Sequence, residues 1–453
     1  MGIYWGVNMS IKWMSPKKVT YKGITNTESD LPDRSQFLRD YGSIIYKSQF
    51  RRQSYKTQVF LNPEFDFPRT RLTHCIEVEQ IGRQLSRFFV SKLQGKFNNL
   101  HENFSQDFED LVAASCLAHD IGQAPFGHKG EDVLNMLMKE NISDQQNHFE
   151  ANKQNIRLLL GSIVRQPYGV SCALLDSIIK YKANSFQEKA NKYPGYYSYE
   201  KDQANRVFEE NGTGRFRHPA CYIMEAADDI AYMSGDLQDG LKMGLISKNK
   251  AKELLVDKVS IYNSSYQPES NNWDSILEES FEKKDYSKPL TYLLRGLLKV
   301  TCDNLEDFIN QIDGEQDINE LPELMNNYFE GKNCKLNVLY ADSSKPFKTV
   351  KDELYNKCIL KDPEIARNEI LAKKIIEDLW KIASDQLLDT EYEKSDLFKI
   401  MPKHVQNHIR SAQEDQSFDS QKYQIIADYI SGMTDRYAIS MWQKIFDPTT
   451  LKY

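Results

Sequence analysis

The stretch LAHDIGQAPFGHKGE, residues 117–131, joins His119 directly to Asp120 and then supplies His128 and Glu131. The whole chain has only eight histidines, so this density marks where its chemistry is to be sought. Adjacent residues of a helix point about 100° apart, so His119 and Asp120 do not share a helix face. Near a helix end both can bend toward one point and meet on a single metal ion. His74, in RLTHCIEVEQIGRQL, offers a second imidazole. Asp228 and Asp229 lie in EAADDIAY, within an otherwise apolar helical stretch. Burying an unpaired carboxylate there would be costly, so one of the two needs a cation or a strong donor. Two imidazoles and two carboxylates make a nitrogen and oxygen donor set without sulfur. It suits Mn²⁺, Fe²⁺, Co²⁺ or Mg²⁺ with open positions for water and substrate, and Zn²⁺ fits it too.

His128 and Glu131 stand three apart after Pro125-Phe126-Gly127, at the start of an expected helix, and so share a face. A carboxylate bonded to an imidazole fixes its tautomer and raises its pKa, which suits the pair to moving protons. Asp228, Tyr232 and Asp236 recur at every fourth position, which places all three on one side of a helix.

The elements that must position these groups read as helices. Apolar residues fall on one helical face through 72–93, and run almost unbroken through 109–121, with Gly122 and Pro125 as the stop. Residues 218–243 are helical again, followed by Gly244, and 423–446 are apolar enough to dock on a core. Residues 184–217 are polar and tyrosine-rich and read as a surface excursion or lid; 260–290 read as irregular; ITNTESDLPDRS reads as a loop. Strand signals are sparse, and the chain has no internal repeat.

At 453 residues, 40% hydrophobic and 27% charged, the composition is that of a soluble globular protein with ample core. A net charge of −7 excludes a global basic field for nucleic acid. The seven cysteines are scattered without a CxxC, which argues against a disulfide framework or a cysteine-ligated zinc and favours a reducing compartment. No apolar signal region and no run of about 18 apolar residues is present. A cytoplasmic protein with no membrane partner is expected.

The order H…HD…D resembles the HD superfamily of metal-dependent phosphohydrolases. KTQVF (56–60), RTRLTH (69–74), AHDIGQAPFGHKGE (118–131), HFEANKQNIRLL (148–159), EAADDIAY (225–232) and DYISGMTDRYA (428–438) resemble, in order, the blocks of the deoxyguanosine triphosphate triphosphohydrolase (dGTPase) family. The resemblance implies an all-α fold: one unit over 1–453, with an HD catalytic core at 66–240 and supporting helices at 241–453. It implies hydrolysis of a dNTP to deoxynucleoside and inorganic triphosphate, with Mn²⁺ or Mg²⁺ held by His74, His119, Asp120 and Asp228. His128, Glu131 and His148 become the catalytic groups. An acidic chain must meet a triphosphate with a local cationic pocket, for which Arg71, Lys180 and Lys192 are the candidates, with Asn152 as a further phosphate contact. Arg51 and Arg52 are equally suggestive by charge, with structural ion pairing as the other reading. Gln58 aligns with a sugar-binding position, with Val59 beside it, and the helix face that continues from Asp228 through Tyr232 to Asp236 is expected to reach the same sugar. Departures from the family pattern are Gln123 and Ala124 beside the HD pair and Ala151 in HFEAN; none is a ligand. The family also implies a homo-oligomer, a hexamer. Relatives bind single-stranded DNA or nucleotide effectors, but no basic-aromatic stripe here supports either. The alternatives are another HD-type nucleotide phosphohydrolase, acting on monophosphates or cyclic nucleotides, and a nucleic-acid-binding regulatory protein with vestigial activity. The intact ligand set argues against the second.

Overall fold

The apolar spacing through residues 72–93 becomes one long helix in the computed structural model. That model describes residues 11–26, 35–60, 66–97, 100–163, 167–182, 193–257, 273–313, 316–331, 353–359, 361–389, 391–414 and 418–447. Among these the only sheet is an antiparallel hairpin of β1 (Lys18–Thr20) and β2 (Gly23–Thr25), with Val19 opposite Ile24. The fold is all-α. The amino-terminal helices are α1 (Gln36–Ile45) and α2 (Ser48–Arg52). Then come α3 (Arg71–Leu93), α4 (Phe104–Ala118), α5 (Gly127–Asn141), α6 (Ala151–Leu160), α7 (Cys172–Ile178), α8 (Lys201–Glu210) and α9 (Pro219–Lys242). The middle of the chain holds α10 (Lys248–Lys252), α11 (Trp273–Lys283), α12 (Ser287–Asn310) and α13 (Leu321–Gly331). The last group is α14 (Pro363–Leu387), α15 (Asp396–Ile400), α16 (Lys403–Glu414), α17 (Phe418–Ser431) and α18 (Asp435–Phe446).

Local chemistry sets the ends of the helices that matter. Thr70 and Thr73 exchange side-chain and backbone hydrogen bonds in a capping box, so α3 starts at Arg71 and His74 sits one turn in. His218 caps α9 and Pro219 opens it, where a missing N–H costs nothing. α9 buries Tyr222, Ile223, Met224, Ile230, Met233 and Leu237. Each such side chain contributes roughly 1.5–3 kcal/mol by leaving water. α3 lies close against α4 at Gly82, where a Cβ would stand 2.6 Å from Cys116 Sγ and 3.2 Å from Val112 Cγ1. α4 is buried almost throughout, as its unbroken apolar run requires.

Two apolar cores result. The larger gathers α1, α3, α4, α7 and α9 with the middle helices; the smaller packs α5 against α14 to α18. The carboxy-terminal helices therefore build the support of α5, which carries His128 and Glu131.

Residues 423–446 dock on the smaller core as expected, as two helices, because Thr434 caps α18 by accepting from Tyr437 N, and the chain turns at Gly432-Met433. Two sequence expectations change. Of the expected excursion at 184–217, residues 184–192 lie outside the described residues. The remainder is folded in: Tyr196 and Tyr197 are buried and α8 packs through Ala204 and Val207. Of the expected irregular stretch at 260–290, the described part is α11 and the start of α12, anchored by buried Trp273 and Leu277. Residues 27–34 of the expected loop are outside the described residues. No described helix is long and apolar enough to cross a membrane.

Candidate active site

Three helices converge on the HD pair. α4 ends at Ala118 with His119 as its C-cap, so Asp120 falls in the turn beyond and both side chains reach one point. α3 brings His74 and α9 brings Asp228. One ligand atom each from His74, His119 and Asp120 lie within 4.8 Å of one another. Asp228 Oδ1 is 3.1 Å from His74 Nε2 and 3.4 Å from His119 Nε2. His119 Nδ1 donates to Cys116 O at 2.6 Å, which leaves Nε2 with its lone pair facing the cluster. That Nε2 is buried and makes no hydrogen bond of good geometry. A buried, oriented and unspent imidazole nitrogen among carboxylates is what a divalent ion requires, and the donor set fits one.

The electrostatics agree. Burial opposes charge on His119, yet Asp120 and Asp228 outweigh it and raise its pKa well above the ordinary value. Burial would likewise raise Asp120, but Arg71 and His119 pull it below the usual carboxylate range. Asp228 is held low by His119 and Lys180 against the same desolvation.

The turn is clamped from α6. Asn155 Nδ2 donates to His119 O, and its Oδ1 accepts from Gly122 N. A Cβ on Gly122 would collide with the backbone of Asn155 and Ala151, so only glycine lets the turn seat there. Lys56 Nζ donates to Gln123 O and, at 2.8 Å, to Ser431 O. Asp435 accepts from Thr57 N at 2.7 Å and Phe126 N at 2.8 Å. None of Asn155, Lys56 and Asp435 is assigned by the sequence reading, although all lie within the quoted blocks. Their bonds join segments up to 378 residues apart, and no local spacing encodes that.

His128 and Glu131 are brought together as expected, with Nδ1 3.7 Å from Oε2. Phe126 precedes them with φ +65°, a left-handed conformation costly for a bulky residue. Its bond to Asp435 and its buried ring hold it there, and this strained corner aims the first turn of α5. Glu131 Oε1 accepts from Ala151 N at 2.8 Å, and Gln123 Nε2 approaches Oε2 at 3.4 Å. Burial acts to raise the Glu131 pKa, but His128 and the Ala151 N–H outweigh it, so the group stays a carboxylate. His128 is half exposed, facing a small cleft it lines with Gln58, Val59, Ile365 and Glu369.

The other candidates take up a range of positions. His148 is turned to the chain itself, with Nε2 3.0 Å from Ile142 O, because the short segment between α5 and α6 needs that bond to close. Arg71 is 2% exposed; it donates to Asp120 and to Thr57 O rather than standing free for a phosphate. Lys180 Nζ is 3.3 Å from Asp228 Oδ2, and the carboxylates of Asp228 and Glu225 overcome its desolvation to raise its pKa. Asn152 is half-buried in the first turn of α6. Lys192 lies outside the described residues. Tyr232 and Asp236 follow Asp228 along α9; Asp236 is 2% exposed, within electrostatic reach of Arg69. Arg51 and Arg52 bond to backbone carbonyls, of Tyr46 and Gly432, instead of forming ion pairs among the described residues.

Comparison with known proteins bears on this arrangement. Residues 71–197 match the family model of the HD domain, and residues 345–444 that of the phosphohydrolase-associated domain. HD domains bind divalent metals. Curated relatives named deoxyguanosinetriphosphate triphosphohydrolase-like protein match over most of the chain. The one from Synechocystis sp. is 28% identical over 451 residues, covering 91% of this chain and 94% of the relative. The one from Nitrosomonas europaea is 29% identical over 420 residues, covering 91% of each. The one from Listeria monocytogenes is 26% identical over 486 residues, covering 96% of this chain and 99% of the relative.

Proposed function

Since the chain belongs to the deoxyguanosinetriphosphate triphosphohydrolase-like family of HD-domain phosphohydrolases, we propose that it hydrolyses deoxynucleoside triphosphates, dGTP among them. The products are the deoxynucleoside and inorganic triphosphate. His74, His119, Asp120 and Asp228 hold the divalent ion, Mn²⁺ or Mg²⁺. The observation that carries this reading is the unspent His119 Nε2, buried among two carboxylates where α3, α4 and α9 meet.

A divalent ion there supplies Lewis acidity toward a phosphoryl oxygen and makes water a better nucleophile. Glu131, anchored by the Ala151 N–H, orients His128 to give a proton to the leaving nucleoside oxygen. Half exposure of His128 leaves it open to substrate. Arg71 and Lys180 concentrate positive charge beside the ligand carboxylates, where the transition state spreads negative charge over phosphoryl oxygens. Gln58 Oε1 is buried without a hydrogen-bond partner, an acceptor suited to a sugar hydroxyl. Asp236 and Tyr232 carry the rest of the sugar contact along α9. Homo-oligomeric assembly as a hexamer and a cytoplasmic location belong to the same reading.

The test is incubation with each dNTP and Mn²⁺ or Mg²⁺, resolving the products. Tripolyphosphate and deoxynucleoside formed in one step are expected. Release of dNMP with pyrophosphate, or stepwise loss of orthophosphate, would reject the reading. In the same assay His128→Ala should lower kcat by about 10²-fold or more with KM largely kept.

A further inference from the structure

A second cavity, of about 320 Å³, adjoins the HD turn from a different side of the chain. Ile121 contributes to its wall, but none of His74, His119, Asp120 and Asp228 does. The wall is largely aliphatic and aromatic, with Leu158, Val405, Tyr429, Met433 and Tyr437. Two cations interrupt it. Lys56 is 4% exposed, and its Nζ meets only the carbonyl oxygens of Gln123 and Ser431. Arg52 donates to Gly432 O at 2.8 Å. Neither cation has a carboxylate within ion-pair distance among the described residues.

The one carboxylate in the wall does not supply that charge. Asp428 is taken by Arg157, whose Nη2 stands 2.9 Å from Oδ2 and whose Nε stands 3.0 Å from both oxygens. The other charged groups near Lys56 are Asp435, whose oxygens accept from Thr57 N and Phe126 N, and Asp120, which is paired with Arg71. His404 and His408 add imidazoles on the α16 side of the cavity. Two cations in a mostly apolar cavity, satisfied by carbonyls alone, are expensive unless an anion completes them.

We propose that this cavity is a binding site for a small aromatic anion, with its carboxylate or phosphate on Arg52 and Lys56 and its ring among Val405, Tyr429 and Met433. The volume falls within the range of small-molecule sites, and the mix of apolar wall with a few convergent polar groups is typical of them. A planar carboxylate matches the guanidinium fork, and a phosphate does so equally. Burial and the nearby Arg52 push the Lys56 ammonium down to about 7. Burial and Arg52 also lower the His404 pKa. In both, burial comes first and repulsion by Arg52 second. Lys56 also holds the HD turn through Gln123 O, so an occupant touches a group that positions the turn. Binding here is read without turnover at the HD pair.

The test is calorimetric titration of the full-length protein with 1-naphthoate and 1-naphthyl phosphate, against neutral 1-naphthalenemethanol. One anion per chain should bind, at least tenfold more tightly than the neutral compound. Naphthoate and naphthyl phosphate distinguish the two head groups. Val405→Trp fills the cavity and should abolish binding while the thermal melt and hydrolysis persist. Arg52→Gln should weaken the anions at least tenfold and leave the neutral compound unchanged. Equal affinity for anionic and neutral compounds on the wild-type protein overturns the proposal. So does unchanged naphthoate binding in a folded Val405→Trp, or no binding of either anion at millimolar concentration.

Discussion

α6 serves two buried clusters of charge, and they are built on opposite plans. In its last turn, Arg157 spends its whole guanidinium on protein partners: Asp428 through Nε and Nη2, Glu200 Oε1 at 2.7 Å, and Gln421 Oε1 at 3.2 Å. Two residues earlier, Asn155 braces the HD turn, where donors converge on a point and one imidazole nitrogen stays unspent. In the first cluster charge is closed upon itself and ties α6 to α17 and the segment before α8. In the second the charges face a common centre and are completed only by something added. Buried charge therefore marks function when its partners converge on a point without closing, and marks architecture when they pair off.

The comparison breaks most sharply at its two centres. His119→Ala should reduce divalent-ion affinity and hydrolysis by more than about a hundredfold, since even outer partners of a metal site are worth 10–100-fold. Its melting curve should stay near wild type, because Ala is a good helix former. Arg157→Met should do the reverse. It strands Asp428 and Glu200, both 4% exposed or less, and should cost about 3–5 kcal/mol in a urea titration. Metal affinity of the folded protein should be kept. Calorimetry with Mn²⁺ beside the urea titration reads both. An Arg157→Met protein of full stability but without metal affinity would erase the distinction.

Two buried histidines sharpen it next. Carboxylates push His119 toward its charged form, whereas His218, bonded to Trp13 O and capping α9, is lowered by burial to about 4. Between that value and the unfolded value near 6.5, the unfolded chain binds the proton and the folded chain does not. Stability from His218 is thus full above about pH 6.5 and falls as pH drops toward 4, by on the order of 3 kcal/mol. His218→Asn should flatten that slope in urea midpoints measured across the interval. A slope unchanged in the variant would assign the acid sensitivity elsewhere.

The smallest effect is expected at Asn155. Asn155→Ala leaves His119 O and Gly122 N without their partner and should lower kcat about tenfold with little change in KM. The stability cost should be about 1–3 kcal/mol. A raised KM with unchanged kcat and metal affinity would make Asn155 a binding residue instead of a brace for the turn.

Much of the site was legible because its parts are local. Thr70 and Thr73 set the start of α3, and the apolar run before His119 set the length of α4. The i, i+3 spacing put His128 beside Glu131. The direction of His148 was not legible, because sequence spacing says nothing of it: the ring bonds Ile142 O through Nε2. Arg71 lay where expected, but its charge is engaged by Asp120. Residues 193–217 were misread because polarity suggested solvent, whereas Tyr197 and Glu200 are polar groups buried against Gln154 and Arg157.

By itself the sequence determined that the protein is helical, that long helices run through 72–93 and 218–243, and that His74, His119 and Asp120 are candidates to hold a metal ion, with Asp228 or Asp229 beside them. Those properties follow from periodicity, capping and residue type, which act over a turn or two of chain. Only the tertiary structure decided that Asp228, 154 residues from His74, faces it across a helix pair, that α14 to α18 support the apolar face of α5, and that Lys56 reaches both Gln123 and Ser431. The physical reason is that such contacts depend on how closely helices approach and at what angle they cross. Small residues such as Gly82 and Gly122 permit that approach, but the burial of whole apolar faces sets it.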